Sequence, residues 1–329
     1  MQLTKIPCKH FSRAQNIRVS SRYIVVFTGA CVRVLNKELE LLREIRGFYH
    51  VYDGRIAPDE TQLLLISTTN AFYTVSPEGQ DRPQLHIVTA LSENLEGQGC
   101  YSFDSRTILL PLGQYSSTIR CYNTSDLTDF TDISTGDLRL LSITPLPALE
   151  KHLLLSQEIG TQQEYFLWLT QNTLAPFPLD KQGILDHVQQ VEYDSANQQL
   201  LLYTPAGIRT FTTEGRCIPS ADIRMPLPGT GAYYTRCELI HGLERLAGSL
   251  DDPHIPPNRA DIYGVTTSAD GNRLYIATES TLDIRSVAHP QEPLYVLRKG
   301  GLHTVRELAP DLLLLSTWDG NAVYRVSER

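Results

Sequence analysis

The sequence predicts an all-β fold: a seven-bladed β-propeller with an N-terminal strand completing the last blade and a helical insertion between blades five and six. Three observations predict it. An apolar strand recurs at a near-constant interval, companion strands and turns flank each copy, and one 34-residue block accounts for the single break in the interval.

The clearest copy runs from Ile262 to Val287. Tyr263, Val265 and Thr267 alternate as in a half-buried strand, and Ser268-Ala269-Asp270-Gly271-Asn272 supplies turn chemistry, with a glycine free to take positive φ. Leu274 to Thr278 is a second strand closed by Glu279-Ser280. Thr281 to Val287 is a third, with Leu282 and Ile284 facing inward. One such unit cannot bury both of its faces, so it requires neighbours of the same build.

Its second strand serves as a ruler. Val25 in YIVVFTG, Leu63 in QLLLIST, Leu109 in TILLPLG, Leu153 in HLLLSQE, Leu200 in QLLLYTP, Leu274 in RLYIATE and Leu314 in LLLLSTW are equivalent by pattern, at spacings of 38, 46, 44, 47, 74 and 40. Without residues 224–257 the long spacing becomes 40, inside the ~40–45 residues of a four-stranded propeller blade. A strand and turn precede the ruler at Ile56 to Asp59, Phe103 to Ser105, Val191 to Asp194 and Leu308 to Asp311. A third strand follows at Cys31 to Leu35, Ala71 to Val75, Thr118 to Tyr122, Glu164 to Leu169, Gly207 to Phe211 and Ala322 to Val326. Fourth strands are expected at Leu41 to Ile45, Leu85 to Val88, Phe130 to Ile133, Thr173 to Phe177, Ile218 to Ile223 and Leu294 to Leu297. The seventh copy has none, and Gln2 to Ile6 is the expected substitute, pairing the first strand of the chain with the last.

Residues 224–257 read differently. Pro226, Pro228, Gly229 and Gly231 suggest an extended entry, and Pro253, Pro256 and Pro257 an extended exit. Between them Thr235-Arg236-Cys237-Glu238 is a capping box, and Leu239, Leu243, Leu246 and Leu250 keep helical spacing, which predicts a short helix over about 236–247. So short a helix is marginal alone, so its leucine face is expected to pack against the ring. Tyr233, Tyr234, Arg236, His241 and Arg245 are then the candidate partner-binding residues, because aromatic and Arg side chains dominate interface hot spots.

Composition narrows the function classes. Apolar content of 41% and charged content of 20% are those of a folded globular chain, which is read as a single domain over 1–329. A net charge of −8 argues against a general nucleic-acid role, since phosphate binding needs a positive field. Met1 to Val19 holds no apolar core of a leader, and no stretch approaches the ~18 apolar residues of a membrane span, so the expectation is a cytoplasmic protein with no membrane partner. The six cysteines, Cys8, Cys31, Cys100, Cys121, Cys217 and Cys237, form no C-x-x-C pair and read as small buried side chains.

Two stretches resemble known families. Leu312 to Ser327, LLLLSTWDGNAVYRVS, resembles the middle of a WD40 repeat, where a strand ends in a W-D-G turn and a third strand follows. The S-A-D-G-x-x-L-Y run at Ser268 to Tyr275 is similar to one in bacterial WD40-like and lactonase-like propellers. The resemblance covers the strand skeleton and implies architecture. The lactonase-like one also implies a hydrolase site at the central channel mouth, but their G-P-R-H-type stretch is absent here and no catalytic residue carries over.

No P-loop, G-x-S-x-G elbow, H-E-x-x-H, EF-hand loop or G-x-G-x-x-G occurs, and Asp251, Asp252 and His254 read as a solvated loop. Phe48, Tyr49, His50, His187, His303 and Trp318 are the channel-mouth candidates, near Asp53, Glu192, Asp261 and Glu307 as carboxylates available for proton transfer or metal ligation. No spacing singles out a pair, and neither a metal nor a cofactor is expected. The sequence therefore favours a non-catalytic scaffold that binds a protein or peptide through the insertion-bearing face. A lactonase-like hydrolase and a structural subunit of a larger assembly are the alternatives.

Overall fold

The computed structural model describes residues 1–328 except 13, 15, 49, 68–70, 88–98, 113–116, 162, 180–189, 195–197, 205–206, 219–223, 227–232, 236–261, 269, 271, 279, 287–292 and 318. After β1 (Gln2–Ile6) and a 3-10 turn at Lys9–Phe11, four-stranded antiparallel sheets succeed one another along the chain, seven among the described residues. Sheet 1 is β2 (Asn16–Val19), β3 (Ile24–Phe27), β4 (Val32–Leu35) and β5 (Leu41–Ile45). Sheet 2 is β6 (Val51–Ile56), β7 (Leu63–Ser67), β8 (Ala71–Val75) and β9 (Gln84–Ile87). Sheet 3 is β10 (Cys100–Tyr101), β11 (Thr107–Leu112), β12 (Thr118–Asn123) and β13 (Asp126–Ser134). Sheet 4 is β14 (Leu138–Leu146), β15 (Lys151–Glu158), β16 (Glu164–Thr170) and β17 (Thr173–Pro176), and sheet 5 is β18 (Gln190–Asp194), β19 (Gln199–Thr204), β20 (Gly207–Thr212) and β21 (Cys217–Ile218). A separate hairpin, β22 (Arg224–Pro226) with β23 (Tyr233–Thr235), precedes sheet 6. Sheet 6 is β24 (Ile262–Thr267), β25 (Arg273–Thr278), β26 (Thr281–Ser286) and β27 (Pro293–Arg298). Sheet 7 is β28 (Leu302–Ala309), β29 (Leu312–Thr317) and β30 (Gly320–Ser327), with β1 as its fourth strand.

The second strands explain the apolar ruler. Val25 and Phe27 pack with Leu63 and Leu65 between sheets 1 and 2. Ile24 and Val26 point the other way, onto Leu312 and Leu314 of sheet 7. Leu64 and Ile66 meet Ile108 and Leu110 between sheets 2 and 3, and Leu109 meets Leu154 between sheets 3 and 4. Leu153 and Leu155 pack with Leu200 and Leu202 of sheet 5, and Leu313 and Leu315 with Tyr275 and Ala277 of sheet 6. Each strand divides its residues alternately between two interfaces. It is buried on both faces, so it reads as an unbroken apolar run rather than an alternating one.

First strands touch first strands: β2 with β6, β6 with β10, β10 with β14, β14 with β18, and β24 with β28. They form the inner wall, and fourth strands such as β9 and β27 present exposed side chains outside. β1 closes the ring by pairing with β30 from Gln2 opposite Ser327 to Ile6 opposite Val323. This is the closure expected from the sequence. It covers an edge that β30 otherwise exposes.

The fourth strand of sheet 5 begins at Cys217, and 219–223 of its expected range lie outside the described residues. Two expectations change. The entry to residues 224–257 is a paired hairpin, with Arg224 opposite Thr235 and Pro226 opposite Tyr233, because Tyr233, Tyr234 and Thr235 favour an extended strand. The copy centred on Leu153 has a nine-residue first strand, β14, that the sequence reading did not assign; its register shift between Leu140 and Ser142 breaks the alternation that reveals a strand. The expected helix over 236–247 lies outside the described residues.

Antiparallel order gives the ring two faces. Turns joining first to second and third to fourth strands lie on one, here the turn face. Turns joining second to third strands, and every connection between sheets, lie on the other. The connection from sheet 5 to sheet 6 leaves β21 and enters β24 on that linker face.

Candidate functional site

The inner wall holds a charged cluster built by two successive first strands. Arg18 of β2 donates to Asp53 of β6 twice, Nε to Oδ1 at 2.9 Å and Nη2 to Oδ2 at 2.6 Å. Arg55 adds Nη1 to Oδ2 at 2.9 Å, and the Gly54 N–H donates to Oδ1 at 2.8 Å. Burial pushes the Asp53 pKa up, but the Arg18 hydrogen bonds and the two guanidinium charges outweigh it and hold the carboxyl below its usual range. A carboxylate so fixed is a structural anion, not a group poised for proton transfer near neutral pH. Arg306 of β28 donates to the Ile17 carbonyl at 2.6 Å, joining the first strands of sheets 7 and 1. Glu307, the other described carboxylate of the expected set, receives the Tyr275 hydroxyl at 3.5 Å.

The expected site residues scatter. Phe48 is buried in the core between sheets 1 and 2, its ring 6.1 Å from that of Tyr73. His50 is exposed at a turn with φ of 51°. Tyr49, His187 and Trp318 lie outside the described residues, and His303 is described only as a backbone position in β28. Tyr233 and Tyr234 are backbone positions in β23, and Arg236, His241 and Arg245 lie outside the description. Among the described residues, no three His, Cys, Asp or Glu side chains gather as a metal site.

The turn face is tied to itself. Glu60 of the sheet 2 turn accepts from the Ser21 backbone N–H and hydroxyl of sheet 1, both at 2.8 Å. Ser105 of sheet 3 accepts from the Asp59 N–H at 3.0 Å. Arg43 of β5 reaches the Ser76 carbonyl at 2.6 Å and Asp81 at 2.9 Å, and both Arg22 and Tyr23 donate to Glu78. Lys37 donates to the Leu308 carbonyl at 3.0 Å, and Arg273 of sheet 6 joins Asp311 and Glu328 of sheet 7. The Asp270 turn belongs here. Its carboxylate accepts from Ser268 and, at 3.0 Å, from the Asn272 N–H, and these bonds pull its pKa down to about 2.

Two clefts stand out. One of about 510 Å³ lies on the turn face between sheets 3 and 4, where Asn123 donates to Asp129 at 3.2 Å and Phe130 is covered by Arg120 at 4.1 Å. The other, about 360 Å³, lies on the linker face at the end of sheet 6, lined by Ser280, Thr281, Arg298, Lys299 and Gly300.

The arrangement is shared with solved structures. The β-propeller domain of Cps50 (Swd1) from Myceliophteria thermophila superposes with a TM-score of 0.54 at 11% identity, covering 99% of this chain and 100% of that one. This chain is a β-propeller. The dihydro-heme d1 dehydrogenase NirN, in complex with DHE, superposes with a TM-score of 0.51 at 14% identity, over 96% of this propeller and 63% of that chain. No protein-family model and no curated protein sequence matches the propeller. At such identities the likeness is one of fold, and any activity has to be argued from this propeller's own residues. Sequence reasoning named Asp53 but missed Arg18, Arg55 and Arg306. Their signal is a polar residue inside a first strand, visible only once β2, β6 and β28 are known to line one wall.

Proposed function

We propose that this propeller is a non-catalytic scaffold that binds a protein or peptide through its linker face, using the insertion 224–257. The feature that carries the reading is the long connection between β21 and β24, which leaves sheet 5 and enters sheet 6 on the linker face. Loops set on a rigid scaffold are where recognition residues concentrate. The locked Asp53 also removes one acid–base candidate from a channel-mouth hydrolase.

The same reading takes residues 1–329 as one domain working in the cytoplasm. The described cysteines are free thiols, with Cys31, Cys100 and Cys121 buried, as suits a reducing compartment. No helix of the described residues is long and apolar enough to cross a membrane. The test is affinity capture from the native host with mass spectrometry, comparing the native chain with the triple substitution Tyr233→Ala, Tyr234→Ala, Arg245→Ala. Loss of a captured protein at unchanged thermal stability is expected; retention of every captured protein overturns the assignment of these residues.

A further inference from the structure

We infer that the linker-face cleft of sheet 6 binds an acidic peptide segment, whose oxyanions are held by Arg298 and Lys299. This rests on the linker face being the partner-binding face, and it adds the chemistry of what is bound there.

Arg298 ends β27 directly opposite Thr281, the first residue of β26. The next residue, Lys299, donates its backbone N–H to the Ser280 carbonyl at 2.8 Å, so the cleft's two walls are pinned together. Both cationic side chains line the same cleft, and among the described residues neither has an ion-pair or hydrogen-bond partner. The contrast with the turn face is direct, since Arg22, Arg43 and Arg273 are all paired there. The one carboxylate of the adjoining strand, Asp283, is already taken: Arg285 donates to it at 2.7 Å and Thr281 at 3.0 Å. It therefore does not neutralise the cleft's two cations.

The remaining wall leaves room for a ligand: nothing lies within 4 Å of where a Gly300 side chain would start, so a ligand can approach the backbone. A guanidinium takes a carboxylate or phosphate through two parallel hydrogen bonds, and an adjacent ammonium adds a point charge. The propeller's net charge of −8 repels an acidic partner only weakly from afar, because exposed charges are screened beyond about 8–10 Å; at contact the local pair dominates. A cleft of about 360 Å³ lies at the small end of ligand sites, which fits one or two side chains of a peptide.

The test is fluorescence anisotropy with three labelled peptides of one length: Glu alternating with Ser, Gln alternating with Ser, and Gln alternating with phosphoserine. The native chain is expected to bind a Glu or phosphoserine peptide and not the Gln–Ser peptide, with the tighter of the two acidic peptides naming the oxyanion. R298E/K299E is expected to weaken that binding about tenfold or more, while R82E on the turn face leaves it unchanged. Because Arg298 and Gly300 are exposed, the double variant is expected to keep the native melting temperature, and K299A gives a milder check in the same direction. Equal binding by the native and R298E/K299E chains, equal binding of the Gln–Ser peptide, or no binding of either acidic peptide overturns the inference. No host partner enters this measurement, so its failure is separate from failure of the capture experiment: a captured protein lost on the Tyr233, Tyr234 and Arg245 substitutions but kept by R298E/K299E leaves the scaffold reading standing and removes this one.

Discussion

Arg18 grips Asp53 at two points across the boundary between sheets 1 and 2, Nε to Oδ1 at 2.9 Å and Nη2 to Oδ2 at 2.6 Å, while Arg55 reaches the same carboxylate from the aspartate's own strand. Two cations thus share one largely buried anion on the inner wall. Replacing Asp53 by Asn removes the shared carboxylate from both guanidiniums, at an expected cost of about 1–3 kcal/mol, the range for hydrogen bonds to charged groups and lower than for a dry pair because Arg18 is one-third exposed. The urea midpoint checks it, and an Asp53→Asn chain as stable as the native one contradicts it. The pH dependence has a definite sign. Since the folded pKa lies below 3.8, the contribution is present above that value and lost as the pH falls through the folded pKa, so the acid limb of the stability curve is flatter in the variant.

Gly54 sits beside that carboxylate for a steric reason. A Cβ there meets the Leu64 carbonyl oxygen at 2.4 Å and the Phe27 ring at 2.9 Å, so backbone and a fully packed aromatic have to give way. Gly54→Ala is expected to lower stability by about 1–3 kcal/mol, the usual cost of overpacking, with the loss read from the denaturant midpoint.

His152 takes up its proton at a lower pH than an ordinary histidine. It is buried in β15 against Phe103, ring centres 5.7 Å apart, and neither ring nitrogen reaches a hydrogen-bond partner in normal geometry. Burial lowers its pKa below 6.5, offset only in part by the Leu169 backbone and the Asp104 charge. The unfolded chain therefore takes up the proton first, and stability declines as the pH falls below 6.5 toward the folded pKa. His152→Leu is expected to flatten melting temperature against pH in that window; an unaltered profile assigns the acid loss elsewhere.

Ring closure predicts a cooperative dependence on β1. Removing residues 1–6 uncovers the edge of β30 and strips Met1, Leu3 and Ile6 from the clusters that join sheet 7 to its neighbours on both sides. The truncated chain is expected to melt lower and to self-associate in size-exclusion chromatography through the bared strand. Addition of a peptide of residues 1–6 in excess should restore part of the loss.

Much of the fold was legible because burial on two faces leaves a mark in sequence. The runs at Ile24–Phe27, Leu63–Ser67 and Leu312–Thr317 are buried throughout and almost wholly apolar because successive residues serve opposite sheet boundaries, and their spacing counts the sheets. The pairing of Gln2–Ile6 with the last strand followed from a missing fourth strand. β14 escaped because a bulge disrupts its alternation, and the β22–β23 hairpin because short strands beside Pro and Gly look like coil.

The sequence by itself determined the repeat, most of the strands that build the sheets and the closure by the first strand, since these are written in local period and order. Tertiary structure alone decided the chemistry. Arg18 and Asp53 are 35 residues apart, Lys37 and Leu308 are 271 apart, and Arg306 and Ile17 are 289 apart, so no window of sequence contains both members of these contacts. Phe48, expected at a channel mouth, is packing, and Asp53, expected among acid–base candidates, is a clamped anion. In the sequence Arg298 and Lys299 are only two adjacent cations at the end of a strand. They became a site only when β26 and β27 set them beside Ser280 and Thr281, because a charge's meaning depends on which other charges folding brings within a few ångströms of it.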